Sequence, residues 1–256
     1  MLLVIDAGNT NVTVGVFRGQ ELIAQARLIT DSDKSSDEYG IEILALFERA
    51  GLDVKSIDGI AIASVVPPLD HMLRQMAKTY FELTPRFVDD ASDTGLKILY
   101  DPPSAVGADR IVDAVAAATK YGVPCIVVDF GTATTFNVVN ANHEYLGGAI
   151  APGIIISAEA LFSRAAKLPH VEIKQPANAI GSSTVAAMQS GLYHGYAGLV
   201  DGVLEQMFAE LEFKPRVIAT GGLAPVIARA AKFIDEVDET LTLEGLRLVY
   251  ERYLSR

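Results

Sequence analysis

The chain has 256 residues, half of them hydrophobic, and a formal net charge of −11 at pH 7. This length suits one large domain or two of roughly 120 residues each. The negative charge without any Lys/Arg cluster argues against nucleic acid as a partner. No apolar run approaches the roughly 20 residues of a membrane span, so a soluble, cytoplasmic protein is expected, with no membrane partner.

The first predicted element is a hairpin between residues 2 and 17. An apolar run from Leu2 to Ile5 ends in Asp6, and alternating valines resume after the polar turn at 7–10. This pattern predicts two strands joined by a tight loop. A carboxylate, a glycine and short hydrogen-bonding side chains suit a metal-bound phosphate, although a plain β-hairpin with a polar turn is the alternative.

The rest of the first half predicts an α/β arrangement. The pattern indicates a strand at 21–28, helical spacing at 41–50, a buried parallel strand at 60–66, a helix at 69–81 and a short strand at 86–88. Residues 89–106 form the longest irregular stretch, which is typical of a functional loop. That stretch leads into Gly107-Ala108-Asp109-Arg110 and a helical pattern at 111–119.

The second half opens with a copy of the first hairpin. The segment IVVDFGTATTFNVV, from Ile126, aligns Asp129 with Asp6 and Gly131 with Gly8. The single cysteine, Cys125, lies in the first strand of this copy, where a buried and inert thiol is expected. Further elements are predicted at 134–140, 144–150, 154–165, 184–211, 217–220, 224–232 and 243–254. The repetition predicts two similar halves, residues 1–118 and 119–256.

The usual phosphate-binding signatures are missing from the sequence. Neither a GxxxxGK[ST] loop nor a GxGxxG after a strand occurs. Five other motifs, in order, closely resemble those of type III pantothenate kinases: Asp6–Asn11, Gly107–Arg110, Asp129–Thr135, Gly147–Gly153 and Gly221–Ala224. The resemblance implies a duplicated actin-like (ribonuclease H-like) α/β fold, with two similar domains and a nucleotide cleft between them. It places the chain in the superfamily of acetate and sugar kinases, heat-shock protein 70 and actin.

The resemblance also implies an activity. Members of this family transfer the γ-phosphoryl group of ATP to the primary hydroxyl of pantothenate, which is the first step of coenzyme A biosynthesis. The implied cofactors are ATP as donor, Mg²⁺, and a monovalent cation, K⁺ or NH₄⁺. A homodimer is implied as well. The stretch 188–204 could form a helix at its interface or could equally be a buried core helix.

Each motif then acquires implied roles by similarity. Asp109 would be the general base, Asp129 would bind the monovalent cation, and Asp6 would be the Mg²⁺ partner, directly or through water. Residues that would contact ATP are Asp6, Ala7, Gly8, Asn9, Thr10, Asn11, Val12, Thr13, Thr132, Gly221 and Gly222. Those that would contact pantothenate are Tyr100, Gly107, Ala108, Asp109, Arg110 and Thr184.

Structural roles compete with several of these assignments. Asp109 could be an ordinary helix cap, Arg110 a structural salt bridge, Tyr100 a packing residue and Thr184 an N-cap. Asp129 could be a second Mg²⁺ contact or could cap its turn. Two other functions stay open: an actin-like ATPase module that couples nucleotide state to partner binding, and another small-substrate kinase of the superfamily.

Overall fold

The structure, a computed structural model, describes residues 1–89, 92–165 and 167–255. The chain divides into two compact units, one comprising Met1–Ala116 and Thr240–Arg256 and the other Ala117–Glu239. In chain order, the helices and strands through α3 are β1 Leu2–Ala7, β2 Asn11–Arg18, β3 Glu21–Ile29, α1 Ser36–Ala50, β4 Gly59–Ser64, α2 Pro67–Phe81, β5 Arg86–Phe87, β6 Lys97–Ile98 and α3 Ala108–Tyr121. The elements that follow are β7 Cys125–Phe130, β8 Ala133–Val139, β9 Glu144–Pro152, α4 Ile154–Arg164, α5 Thr184–Glu210, β10 Arg216–Thr220, α6 Ala224–Ile227, β11 Glu236–Val237 and α7 Leu241–Leu254.

The first unit is built on one sheet in the order β3-β2-β1-β4-β5. β1 and β2 are antiparallel, whereas β4 runs parallel to β1, as the apolar run at 60–66 predicts. Leu3 and Ile5 belong to a core cluster with buried residues of α1 and α2. Because successive side chains alternate between faces, Val4 points to the opposite face. A Cβ atom at Gly15 would meet both Val4 and Leu243 of α7 there, 3.1 Å and 3.0 Å away.

Helix α1 shows why its boundaries extend beyond the apolar spacing. Ser35 caps the helix, since its Oγ accepts from the backbone N–H of Glu38 at 3.3 Å. The Glu38 carboxylate in turn accepts from the backbone N–H of Ser35 at 2.8 Å. This capping box starts the helix at Ser36, five residues before the first apolar position used in the prediction. The helix ends at Gly51, as predicted, with a φ of 64°.

The second unit repeats the meander, with the order β11-β10-β7-β8-β9 among its strands. One face carries Ile126, Val128 and Phe136, which pack in a core cluster with buried residues of α5. Cys125 is fully buried in β7, and burial raises the pKa of its thiol to about 12. The prediction of a buried thiol is confirmed, and the raised pKa is consistent with the predicted inertness.

The two units differ from the predicted halves at the C-terminus. The sequence predicts a second half that runs to residue 256, but contacts group α7 with the first unit. The physical reason is close packing: a Cβ atom at Gly245 would collide with the backbone carbonyl of Val112 on α3, and Tyr250 lies against Gly59 of β4.

Helix α6 is also shorter than the predicted helix at 224–232. Among the described residues, no helix combines the length and apolarity that a membrane crossing requires.

Candidate active site

The loop between β1 and β2 is held closed by backbone and side-chain hydrogen bonds. Ala7 pairs with Val12 across the hairpin, and the N–H of Gly8 donates to the carbonyl of Asn11 at 3.0 Å. Thr30, just after β3, fixes the loop from outside. Its Oγ1 donates to the Gly8 carbonyl at 2.6 Å, and its N–H donates to the Thr10 carbonyl at 3.0 Å. The exposed Asn9 and Thr10 therefore stand on a rigid turn.

Asp109 lies largely buried in the first turn of α3. Its Oδ1 accepts from the backbone N–H of Arg110 at 2.7 Å. Burial raises the pKa of the Asp109 carboxyl above the usual aspartate value, although the N–H and the charge of Arg110 oppose that rise. A carboxylate with a raised pKa accepts a proton more readily, as a general base requires.

Gly107 packs Asp109 against the end of the sheet that carries the first loop. A Cβ atom at Gly107 would collide with the Asp109 carboxylate and would lie 3.2 Å from Cγ1 of Val65. Val65 in turn donates its N–H to the carbonyl of Ala7 at 3.0 Å. This series of contacts places Asp109 at the carboxyl ends of β1 and β4, beside the loop that begins at Ala7. A side chain at residue 107 would therefore displace the Asp109 carboxylate from this position.

Arg110 and Tyr100, both predicted to contact substrate, are neighbours in the structure. The guanidinium of Arg110 lies 5.9 Å from the ring centroid of Tyr100, and only 7% of Arg110 is exposed. An arginine this buried is held in place by its surroundings, so it would meet a bound carboxylate with little loss of side-chain entropy. Its contact with the Tyr100 ring leaves both predicted roles open, substrate contact and structural pairing.

In the second unit, the Asp129 carboxylate lies between two glycine turns. Asp129 pairs with Thr135 on β8 and with Thr220 on β10. A Cβ atom at Gly131 would lie 3.1 Å from its Oδ2, and one at Gly221 would lie 2.5 Å from its Oδ1. The second loop, which corresponds to the loop 7–10, and the Gly221 turn therefore both pack on this carboxylate.

Gly153, at the end of the Gly147–Gly153 motif, packs on the second loop. Its N–H donates to the carbonyl of Thr132 at 3.1 Å, and a Cβ atom there would lie 2.6 Å from the carbonyl of Gly131. The hydroxyl of Tyr196 makes 3.0 Å hydrogen bonds to the carbonyls of Pro152 and Gly153. Tyr196 belongs to the apolar face of α5, which gave no sequence signal for this supporting role.

Thr184 is the first residue of α5, but it is not the helix cap. Ser183 has that role, because its Oγ accepts from the backbone N–H of Ala186 at 3.2 Å. The alternative prediction of Thr184 as N-cap is therefore wrong by one residue. Thr184 itself is exposed, which leaves its hydroxyl accessible for the predicted contact with substrate.

The two predicted metal positions are single carboxylates rather than clusters. In the described part of the chain, no group of three or more His, Cys, Asp and Glu side chains could hold a metal ion. Asp6, at the end of β1, and Asp129, beside two glycine turns, provide the hard oxygen donors that Mg²⁺ and K⁺ prefer. A cation at either carboxylate fits if phosphate and water oxygens complete its coordination.

Within the first unit, the structure thus brings together the first loop, Asp109 and the Tyr100–Arg110 pair. Within the second unit, it brings together Asp129, the loop at Gly131 and Thr132, Gly153 and the turn at Gly221. Sequence reasoning missed three supporting residues, Thr30, Val65 and Tyr196. None of them lies in a recognisable motif, and their partners are backbone atoms that are distant in sequence.

The chain is similar to known proteins over nearly its whole length. A family model described as type III pantothenate kinase matches residues 2–206. A curated relative from Halalkalibacterium halodurans, named type III pantothenate kinase, is 52% identical over 98% of this chain and 99% of its own length. One of the same name from Geobacter sulfurreducens is 54% identical over the same shares of both chains.

Among solved structures, the activator of the 2-hydroxyisocaproyl-CoA dehydratase from Clostridium difficile matches with a TM-score of 0.58. It is 12% identical to this chain, and the match covers all of this chain and 97% of that one. At this identity the likeness concerns the fold alone, and it confirms the predicted actin-like α/β architecture.

Proposed function

The chain belongs to the type III pantothenate kinase family, and we propose that it phosphorylates pantothenate with ATP, the first step of coenzyme A biosynthesis. Relatives more than 50% identical over nearly the full chain support this reaction. The observation that carries the proposal is Asp109, a largely buried carboxylate with a raised pKa that is held beside the first loop. The reaction is therefore an alcohol phosphorylation with a carboxylate base.

In the proposed mechanism, Asp109 accepts the proton of the pantothenate hydroxyl as that oxygen attacks the γ-phosphorus of ATP. The hydrogen bond from the Arg110 N–H to Oδ1 fixes the carboxylate, which leaves Oδ2 as the proton acceptor. Arg110 and Tyr100 orient the carboxylate end of pantothenate, and Thr184 contributes its hydroxyl to the same substrate. These groups position the substrate, which is the main task of a catalyst of phosphoryl transfer.

The nucleotide phosphates are bound by backbone N–H groups and hydroxyls of the two loops. No lysine or arginine occurs between Asp6 and Thr13, so neutral donors predominate in the first loop, and Thr132 supplies a hydroxyl from the second. Mg²⁺ held at Asp6 and a monovalent cation held at Asp129 would neutralise charge on the phosphate oxygens. Gly221 and Gly222 allow the backbone to approach adenosine closely, because they have no Cβ atom.

We further propose a homodimer in the cytoplasm. Exposed apolar side chains of the second unit support the dimer: Ile150, Ile155 and Leu161 are 63%, 46% and 41% exposed. Helix α5 buries Tyr196, Val200 and Leu204 in the core. Its glycines at 191, 195, 198 and 202 face open space, so one face of this helix packs in the core, and the glycine face is our candidate for the dimer interface.

The test is ATP-dependent conversion of pantothenate, with the product identified by mass spectrometry and ADP release measured in parallel. Matched reactions contain Mg²⁺ alone or Mg²⁺ with K⁺. Formation of 4′-phosphopantothenate in step with ADP is expected. ADP release without a phosphorylated product would favour the ATPase alternative, and phosphorylation of sugars or short acids in preference to pantothenate would favour another kinase of the superfamily.

A further inference from the structure

A cavity of about 290 Å³ lies at the β5 edge of the first unit. Its walls come from β4, β5 and the C-terminal half of α7, and they include Ala61, Arg86, Val88, Val249, Tyr250 and Tyr253. None of these residues belongs to the motifs assigned to ATP or pantothenate. The volume is at the lower end of the range for small-molecule sites, so it suits a molecule of about ten non-hydrogen atoms.

The aromatic wall of the cavity is displaced from the active-site carboxylates. Tyr250 packs against Gly59, the first residue of β4. The residue of β4 that pairs with Asp6 is Ala63. At about 3.3 Å per residue, these two positions on the strand are about 13 Å apart. A ligand packed against Tyr250 would therefore occupy a site separate from the one around Asp6.

The cavity offers one cation and an aromatic surface. The guanidinium of Arg86 stacks 3.8 Å from the ring centroid of Tyr253, and the rings of Tyr250 and Tyr253 are 6.3 Å apart. Within the described residues, no ion pair or hydrogen bond engages the guanidinium N–H groups of Arg86. A guanidinium stacked in this way has lost rotamer freedom, yet the N–H groups at its edge can still donate two parallel hydrogen bonds to a carboxylate.

The carboxylates at the rim already have partners. Asp89 accepts from the Ser92 hydroxyl at 2.8 Å, and Asp93 accepts from the Gly95 N–H at 3.2 Å. Asp93 also lies 3.8 Å from the guanidinium of Arg252. The two rim carboxylates disfavour a doubly charged ligand, because like charges repel, but a single negative charge at Arg86 remains favourable.

We propose that this cavity binds a small monocarboxylate whose apolar or aromatic body packs against Tyr250 and Tyr253 while its carboxylate accepts hydrogen bonds from Arg86. Burial raises the pKa of the Tyr250 phenol, and the nearby Asp58 adds to that rise whereas Arg86 opposes it. The phenol is therefore neutral at physiological pH and does not repel an anion. The site is independent of phosphoryl transfer and goes beyond the proposed function.

Phenylacetate is a suitable probe, since it combines a planar ring with one carboxylate. Titrated into the full chain and followed by ligand-observed NMR, it should bind with a Kd on the order of 1 mM, as befits so small a ligand. Arg86→Gln should weaken binding at least about tenfold, the effect of losing one charge-assisted contact. Tyr253→Leu should also weaken it, through loss of the stacking surface, and this second variant covers the case in which Arg86→Gln does not fold.

Arg74→Gln is the matched control. Arg74 stacks at 3.9 Å on Phe87, a residue of the cavity wall. Arg74 itself does not line the cavity, so its loss should leave the Kd unchanged. Benzyl alcohol and phenyl phosphate, neutral and doubly charged respectively, should both bind more weakly than phenylacetate. No saturable binding, equal binding to wild type and both cavity variants, or displacement by a non-hydrolysable ATP analogue with pantothenate would overturn the proposal.

Discussion

The Asp129 carboxylate and Gly221 are packed so closely that a Cβ atom on residue 221 would lie 2.5 Å from Oδ1. Gly221 also has a φ of +89°, which residues with a Cβ adopt only at a cost of about 1–2 kcal/mol. Gly221→Ala should therefore destabilise the protein by about 2–4 kcal/mol, the conformational cost plus overpacking. It should also weaken ATP binding. Denaturant unfolding and calorimetric titration with ATP would measure the two effects.

Gly19→Ala separates the two causes. Gly19 has a φ of +60°, yet nothing lies within 4 Å of where its Cβ would be. This variant should show only the conformational cost and normal ATP affinity. A Cβ at residue 221 would also lie 2.8 Å from the Phe130 backbone. An equal loss of stability in both variants would show that the contacts with Asp129 and Phe130 add nothing.

Asp109→Asn should lower kcat roughly 10²–10⁴-fold, the usual contribution of a general base, with ATP affinity retained. In the wild type, kcat/KM should fall as the pH drops through the raised pKa of Asp109, because kcat/KM reports the free enzyme. That acid limb should lie at higher pH than for an ordinary aspartate. Steady-state kinetics across the acidic range would check both points, and unchanged turnover in Asp109→Asn would exclude this residue as the base.

The same substitution has an opposite effect on stability. Because the folded-state pKa of Asp109 is raised, ionising this buried carboxyl costs folding free energy at pH values above that pKa. Asp109→Asn should therefore be more stable than the wild type near neutral pH. The gain should vanish as the pH falls below the ordinary aspartate pKa, where both states are protonated. Thermal unfolding of the two proteins over a range of pH would show whether the difference in stability disappears at low pH.

Asp129→Asn should reduce activation by the monovalent cation. The amide oxygen of this variant is still a weak cation ligand, but the negative charge is lost. K⁺ should therefore raise both kcat and the thermal midpoint less than in the wild type. Asp89→Asn, a carboxylate change outside the site, is the control. If K⁺ stabilises Asp129→Asn as strongly as the wild type in thermal unfolding, the cation binds elsewhere.

Tyr145→Phe tests a buried polar network behind the second loop. The Tyr145 hydroxyl donates to Asn137 at 2.9 Å, and the Asn137 amide donates to Thr135 at 3.2 Å. Removing this hydroxyl should cost about 1–3 kcal/mol of unfolding free energy, measured by denaturant unfolding. Tyr80→Phe removes an exposed hydroxyl that donates to Asp37 at 3.0 Å, and it should cost less. A comparable loss in both would contradict the importance of burial.

The sequence predicts most of the architecture where local patterns dominate. Both hairpins follow from alternating apolar residues around an aspartate and a glycine, and β7 and β8 lie within a residue or two of their predicted bounds. The sequence does not predict the strands β6 and β11, because two residues are too few to show the alternation of apolar and polar side chains. The start of α1 depends on the Ser35 capping box rather than on the apolar spacing that was used.

The motifs indicate which residues to expect in the site, but they do not indicate the residues that hold these motifs in place. Gly107 is recognisable by family resemblance. The physical reason for a glycine there is its close approach to Asp109 and Val65, which is a tertiary contact that the sequence does not show. Tyr196 and Thr30 act through hydrogen bonds to backbone carbonyls across 43 and 22 residues of sequence. A single sequence shows such partners only when a pattern repeats, and these do not repeat.

The return of α7 to the first unit also affects the order of folding. The second unit is continuous in sequence, whereas the first waits for its last helix until residues 117–239 have been synthesised. On the ribosome, the second unit can therefore complete its core while the face of β1 that carries Val4 is still uncovered. Because a chain is made from its N-terminus, we expect β1, the first strand to be synthesised, to be among the last parts of the protein to reach a fully packed state.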